Sequence, residues 1–130
     1  MNSIDKLKDI TWVKQLGTKS NRHLLDVAGT EGWCWLSPSG LCIAVIIDMT
    51  PISQSWLRKV GLLLAASTHS LDDGIVLEKG KAWLIHRYPS SLTPVEQEAA
   101  LTQQLAVARL LATYGQTTMT TTRPGKMEKE

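Results

Sequence analysis

Phenylalanine is absent from the chain, cysteine occurs twice, and no apolar run is long. Each shortage removes a class of reading. The longest apolar runs, Leu41 to Ile47 and Val60 to Ala66, fall far short of the roughly 20 residues a spanning helix needs, so no membrane insertion is expected. Cys34 and Cys42 stand in a C-x7-C spacing that matches no zinc or redox motif. Charge of one sign is lacking too. The formal net charge is +2 and the body of the chain holds no Lys/Arg cluster, so no nucleic-acid partner is expected.

Motifs of catalysis are missing as well. There is no glycine-rich phosphate loop, nucleophile elbow or set of paired metal ligands. A cysteine nucleophile would need a base from His23, His69 or His86, and none sits in a recognisable motif. His86, between Ile85 and Arg87, reads as a half-exposed sheet residue. Asp72-Asp73-Gly74 lacks the further oxygen ligands of a calcium loop and reads as a turn. No enzyme activity, catalytic residue, cofactor or metal is expected. The first residues, Met-Asn-Ser-Ile-Asp-Lys, interleave acids and lysines where a signal peptide would be apolar. The expected compartment is therefore the cytoplasm, where thiols stay reduced.

What is present suits one soluble domain: 130 residues, 43% apolar and 20% charged. The folded unit is expected over 1–115, followed by a threonine-rich flexible tail over 116–130. Ile4, Leu7, Ile10, Val13 and Leu16 recur at helical spacing, which predicts a first helix over 3–16 with Gly17 as its stop. A strand over 23–28 follows, closed by the turn cluster Gly29-Thr30-Glu31-Gly32.

The stretch Gly-Trp-Cys-Trp-Leu-Ser-Pro-Ser-Gly-Leu-Cys-Ile-Ala-Val-Ile-Ile-Asp, 32–48, predicts a hairpin turning at Pro38-Ser39. Its register pairs Leu36 with Leu41, Trp35 with Cys42, Cys34 with Ile43 and Trp33 with Ala44. Alternation then puts Trp33, Trp35, Cys42, Ala44 and Ile46 on one face and Cys34, Leu36, Leu41, Ile43, Val45 and Ile47 on the other. The cysteines point apart, against a disulfide. Both faces are apolar, which demands two covers: the domain's own helices, and something else. Five tryptophans with no phenylalanine are also more ring than a thin helix-on-sheet core holds, favouring an interface for some of them.

Thr50 and Pro51 read as the start of a second helix carrying Ile52, Trp56, Leu57, Val60, Leu63 and Leu64. Residues 75–78 and 81–88 flank Lys79-Gly80 as a second hairpin, pairing Glu78 with Lys81 and Val76 with Trp83. Thr93-Pro94 with Glu96 opens a third helix, whose Leu101, Leu105, Ala108 and Ala112 share a face, with Gly115 as its stop. The fold class is a single α+β domain, helix, three strands, helix, two strands, helix, with a twisted, mainly antiparallel sheet packed with helices.

This order, with Leu16-Gly17, Leu24-Leu25-Asp26-Val27, Leu41 to Ile47 running into Asp48 and Pro51, Leu62 to Ser67, Gly74 to Glu78, Ala82 to Pro89 and Leu92 to Glu96, resembles the class I chaperones of bacterial type III secretion, the family of the Tir chaperone. The likeness covers 3–115. The slightly basic charge and the threonine-rich tail depart from a family that is usually acidic. The resemblance implies a dimer, with itself or a paralogous chaperone, that holds the N-terminal chaperone-binding segment of a secreted effector in extended, secretion-competent form for the secretion apparatus, in the bacterial cytoplasm and without ATP. Carried onto this chain, Leu24, Val27, Trp33, Trp35, Ala44 and Ile46 would line the client groove. Ile52, Trp56, Val60, Leu63 and Leu64 would form the dimer seam. The alternative is a structural or regulatory subunit of a multiprotein secretion assembly, binding a folded partner by the same faces.

Overall fold

The computed structural model describes residues 3–49, 52–66 and 73–122, with the side chains of 3, 63–66, 73 and 114–122 excepted. In chain order the elements are α1 (Ser3–Leu7), β1 (Val13–Lys19), β2 (Arg22–Val27), β3 (Thr30–Ser37), β4 (Gly40–Ile47), α2 (Gln54–Ala66), β5 (Asp73–Glu78), β6 (Lys81–Tyr88) and α3 (Pro94–Thr122). The six strands make one sheet in the order β1-β2-β3-β4-β6-β5, antiparallel at every pairing. This is a single α+β domain with one more strand than the sequence suggested.

The extra strand comes from the expected first helix. That helix ends at Leu7, a turn follows in which the Ile10 amide donates to the Leu7 carbonyl, and Val13 begins a strand beside β2. The helical spacing is accidental: Ile4, Leu7 and Ile10 lie on a helix and a turn, Val13 enters the core from a strand, and Leu16 is 64% exposed. Gly17 is no helix stop. With a φ of 148° it sits where the β1–β2 register skips a residue, a bulge that leaves Leu16 unpaired.

The tight turns behave as expected. The β3–β4 hairpin pairs Leu36 with Leu41, Trp35 with Cys42, Cys34 with Ile43 and Trp33 with Ala44, and the β5–β6 hairpin pairs Glu78 with Lys81 and Val76 with Trp83. Lys79 and Gly80 both have positive φ, the geometry that matches strand twist in a two-residue loop. The β2–β3 turn is as short, at Ala28-Gly29, so Thr30 to Gly32 already belong to β3. Asp73-Gly74 likewise opens β5 where a turn was expected, while Asp72 lies outside the described residues.

One face of the sheet is covered by the helices. Cys34, Leu41, Ile43, Val45, Ile47, Leu84 and Tyr88 meet Leu7, Trp56, Val60, Leu101, Leu105 and Leu111 in the main core. Leu36, assigned to this face by alternation, is 52% exposed at the end of β3. Helix α2 starts at Gln54, where the Ser53 hydroxyl accepts from the Trp56 amide as N-cap; Thr50 and Pro51, expected in that role, lie outside the described residues. Helix α3 has its capping box, Thr93 and Glu96 each accepting from the other's amide at 3.1 and 2.9 Å. It runs on past Gly115 to Thr122, so neither the expected stop nor the start of the expected tail at 116 marks its end.

Candidate functional site: the tryptophan-floored face

The face turned away from the helices has a small core of its own, in which Trp33, Ala44 and Trp83 are buried and Leu24, Trp35, Ile46 and Ile85 are partly so. Strand pairing aligns them: Leu24, Trp33, Ala44 and Ile85 form one row across four strands, and Ile46 opposes Trp83 in the next. The Trp33 ring lies 4.9 Å from Trp35 and meets Trp83 edge-on at 5.9 Å. The edge-on contact is one of the arrangements aromatic rings prefer, and the Trp35 ring is tilted by 31° against Trp33.

This sheet curls toward the tryptophans. Strands β2 and β5 are four strand spacings apart, about 19 Å in a flat sheet. Yet Arg22, at the start of β2, grips Glu78, at the end of β5, through two hydrogen bonds of 2.6 and 3.0 Å. The two residues stand at diagonally opposite corners, which right-handed strand twist draws together. The Arg22 guanidinium crosses 3.7 Å above the Trp33 ring. It also holds the Glu78 carboxyl below its usual range, chiefly through its hydrogen bonds. Lys81 and Glu31 make a second ion pair at 3.3 Å from β6 to β3.

Two clefts open beside this latch. One, of about 540 Å³, has Trp33, Trp83 and Leu24 in its wall and a charged rim. The other, of about 550 Å³, is bounded by Trp33, Trp35, Leu36, Val76 and Ile85. Both touch Ser20, Arg22 and Trp33, and Glu78 lines the first of them. Trp83 Nε1 is buried and finds no hydrogen-bond acceptor among the described residues. No family model matches this chain, and no curated protein matches it.

Of the residues expected to line a client groove, Leu24, Trp33, Trp35, Ala44 and Ile46 do come together. Trp33, 5% exposed, is floor, while Trp35 stands at the margin. Val27 is a correction. It lies three positions from Leu24 on the same strand and so faces the other way, fully buried under the helices. The expected dimer seam also changes: Trp56 and Val60 are fully buried in the chain's own core and are closed to any partner. Ile52 packs against that core, and the side chains of Leu63 and Leu64 lie outside the described residues. Trp83, Ile85, Arg22 and Glu78 are the residues that sequence reasoning missed. Alternation along β6 would have grouped Trp83 with Ile85, but nothing local announces the β4–β6 pairing that brings them to Trp33.

Cys34 is buried in the helix-side core, where desolvation pushes its thiol up to about 12, and Cys42 is half-buried beside Ser37. Among the described residues no three of His, Cys, Asp and Glu gather as metal ligands, and no helix is long and apolar enough to cross a membrane. A thiol reagent at pH 8 is expected to modify Cys42 in the native protein and Cys34 only after denaturation, as counted by mass spectrometry. Equal native rates would contradict the burial of Cys34. The sign of the pH effect follows: an unfolded chain releases the Cys34 proton near 9.0 and the folded one near 12, so stability falls as pH rises through that window.

Proposed function

We propose that the chain is a non-catalytic polypeptide-binding protein: a type III secretion chaperone that keeps the N-terminal segment of a secreted effector extended and soluble in the bacterial cytoplasm, paired with itself or a paralogous chaperone. The observation that carries the reading is the second apolar face, floored by Trp33, Ala44 and Trp83 and opened by two clefts of ligand-pocket size. Curved sheets with one face under helices and aromatic side chains on the other suit an extended segment, whose alternate side chains fill pockets. From β2 onward the order of three strands, helix, two strands and helix is the one on which the resemblance to that chaperone family rests, and it supports the specific form; α1 ends early and β1 adds a strand.

Identifying the polypeptide that copurifies from the native host, and mapping its protected amides by hydrogen exchange, tests this. Protection confined to an extended N-terminal segment is the expected result. A partner that is folded throughout would instead indicate a structural subunit of an assembly. Trp35→Ala is expected to weaken client binding by about tenfold or more while leaving the melting temperature within a few degrees, because this ring sits at the margin of the site. Loss of the fold in that variant would return Trp35 to the core.

A further inference from the structure

We infer that the cleft beside the Arg22–Glu78 latch takes an acidic side chain of the bound polypeptide, and that the neighbouring cleft takes an apolar side chain two positions along the same extended segment. This rests on the polypeptide-binding reading and names the sequence chemistry the face selects. Charge is the first argument. The rim of the first cleft carries Lys19, Arg22, Lys79 and Lys81 against Glu31 and Glu78, four cations less two carboxylates, an excess of +2. That equals the formal charge of the whole chain, gathered at one opening. Both carboxylates are engaged, Glu78 by Arg22 with Lys79 also acting on it through space and Glu31 by Lys81, while Lys19 makes no ion pair among the described residues. A positive opening over low-dielectric walls concentrates anionic groups.

The second argument is the Trp83 indole. Its Nε1 is a buried donor without an acceptor among the described residues, in a side chain 5% exposed that walls this same cleft. That atom is closed to a water-sized probe, so a ligand oxygen reaches it only by displacing the cleft wall, and the unmet donor makes that displacement less costly. Its counterpart is the latch. Arg22 and Glu78 are each about one-third exposed, 36% and 34%, and exposed pairs of this kind contribute little to stability. Arg22 can therefore exchange Glu78 for an incoming carboxylate of the same bidentate geometry at small cost.

The spacing comes from the adjacency of the clefts. They share Ser20, Arg22 and Trp33, and in an extended chain residues i and i+2 point to the same side. A carboxylate at the first cleft thus presents its i+2 neighbour to Trp35, Val76 and Ile85.

Fluorescence anisotropy with three labelled synthetic peptides, identical except for Glu, Gln or Lys two positions before a leucine in a β-forming sequence, tests this on the full chain. The Glu peptide is expected to bind about tenfold more tightly than the Gln peptide, the Lys peptide most weakly, and the Glu advantage to shrink with added salt. The double variant Lys19→Gln/Lys79→Gln, which leaves Arg22 in place, should narrow the gap between the Glu and Gln peptides by weakening the Glu peptide more than the Gln peptide, and an unchanged gap would remove the charged rim from the inference. Glu78→Gln, which frees Arg22, should tighten the Glu peptide alone. Equal affinity for Glu and Gln peptides in the unaltered protein overturns the acidic-segment inference and leaves polypeptide binding standing. If none of the three peptides binds, the polypeptide-binding reading goes with it.

Discussion

Trp56→Ala is expected to cost about 3–5 kcal/mol of folding stability and to lower the melting temperature by roughly 10 °C or more. Trp56 is the largest fully buried side chain in the molecule. It fixes α2 against α3, since its Nε1 donates to the Leu111 carbonyl at 3.0 Å inside the core. Truncation removes the ring's burial, opens a cavity between the two helices and the sheet, and deletes that hydrogen bond. The loss is a large share of the roughly 5–15 kcal/mol that holds a domain of this kind together. Trp56→Phe restores most of the volume without the donor and should lose about 1–2 kcal/mol. Urea unfolding followed by far-UV circular dichroism measures both. The informative contrast is with Trp35→Ala: the same chemical change at the margin of the other face should disturb binding and spare stability. Equal destabilisation by the two would refute the division of the indoles between core and site.

That division was only partly legible in the sequence, and the reason is range. Two-residue loops dictate register, so the pairing of Trp33 with Ala44, and hence the grouping of Trp33, Trp35, Ala44 and Ile46, followed from Pro38-Ser39 and simple alternation. Trp83 and Ile85 escaped because β6 reaches β4 across a helix and a hairpin, and no local pattern encodes that pairing. Parity alone separates Leu24 from Val27, three residues apart on a strand, so only Leu24 can share the face of Trp33. In α2 the apolar arc is too broad to tell the inner side from the outer, so the pattern alone does not show that Trp56 and Val60 are covered by the chain's own core and not by a partner. The first helix failed for a related reason: a three-residue recurrence spread over a helix, a turn and a strand imitates one helical face. The Arg22–Glu78 latch, whose residues are separated by 56 positions, depends on sheet curl and left no trace in the sequence.

Gln104→Leu is expected to destabilise the fold by about 2–4 kcal/mol although it replaces a polar residue in the core with an apolar one of similar size. Gln104 is 4% exposed on the sheet side of α3. Its Nε2 donates to the Ile43 carbonyl at 2.8 Å and the Leu84 carbonyl at 3.0 Å, and its Oε1 accepts from the Tyr88 hydroxyl at 2.5 Å. One side chain therefore joins α3 to β4 and to β6, the two strands whose pairing unites the N-terminal meander with the C-terminal hairpin. Leucine fills the space but removes all three bonds and takes from the buried Tyr88 hydroxyl its acceptor on α3. Tyr88→Phe alone should cost about 1–2 kcal/mol, and adding it to Gln104→Leu should cost less than the sum, because both changes remove the same hydrogen bond. Additive losses would show that the two side chains act independently. The coupling bears on the opposite face, because Ile43 and Leu84 alternate with Ala44 and with Trp83 and Ile85. A helix that slides or lifts at Gln104 shifts the strands that set the floor of the tryptophan site, so Gln104→Leu should also weaken peptide binding in protein that is still folded.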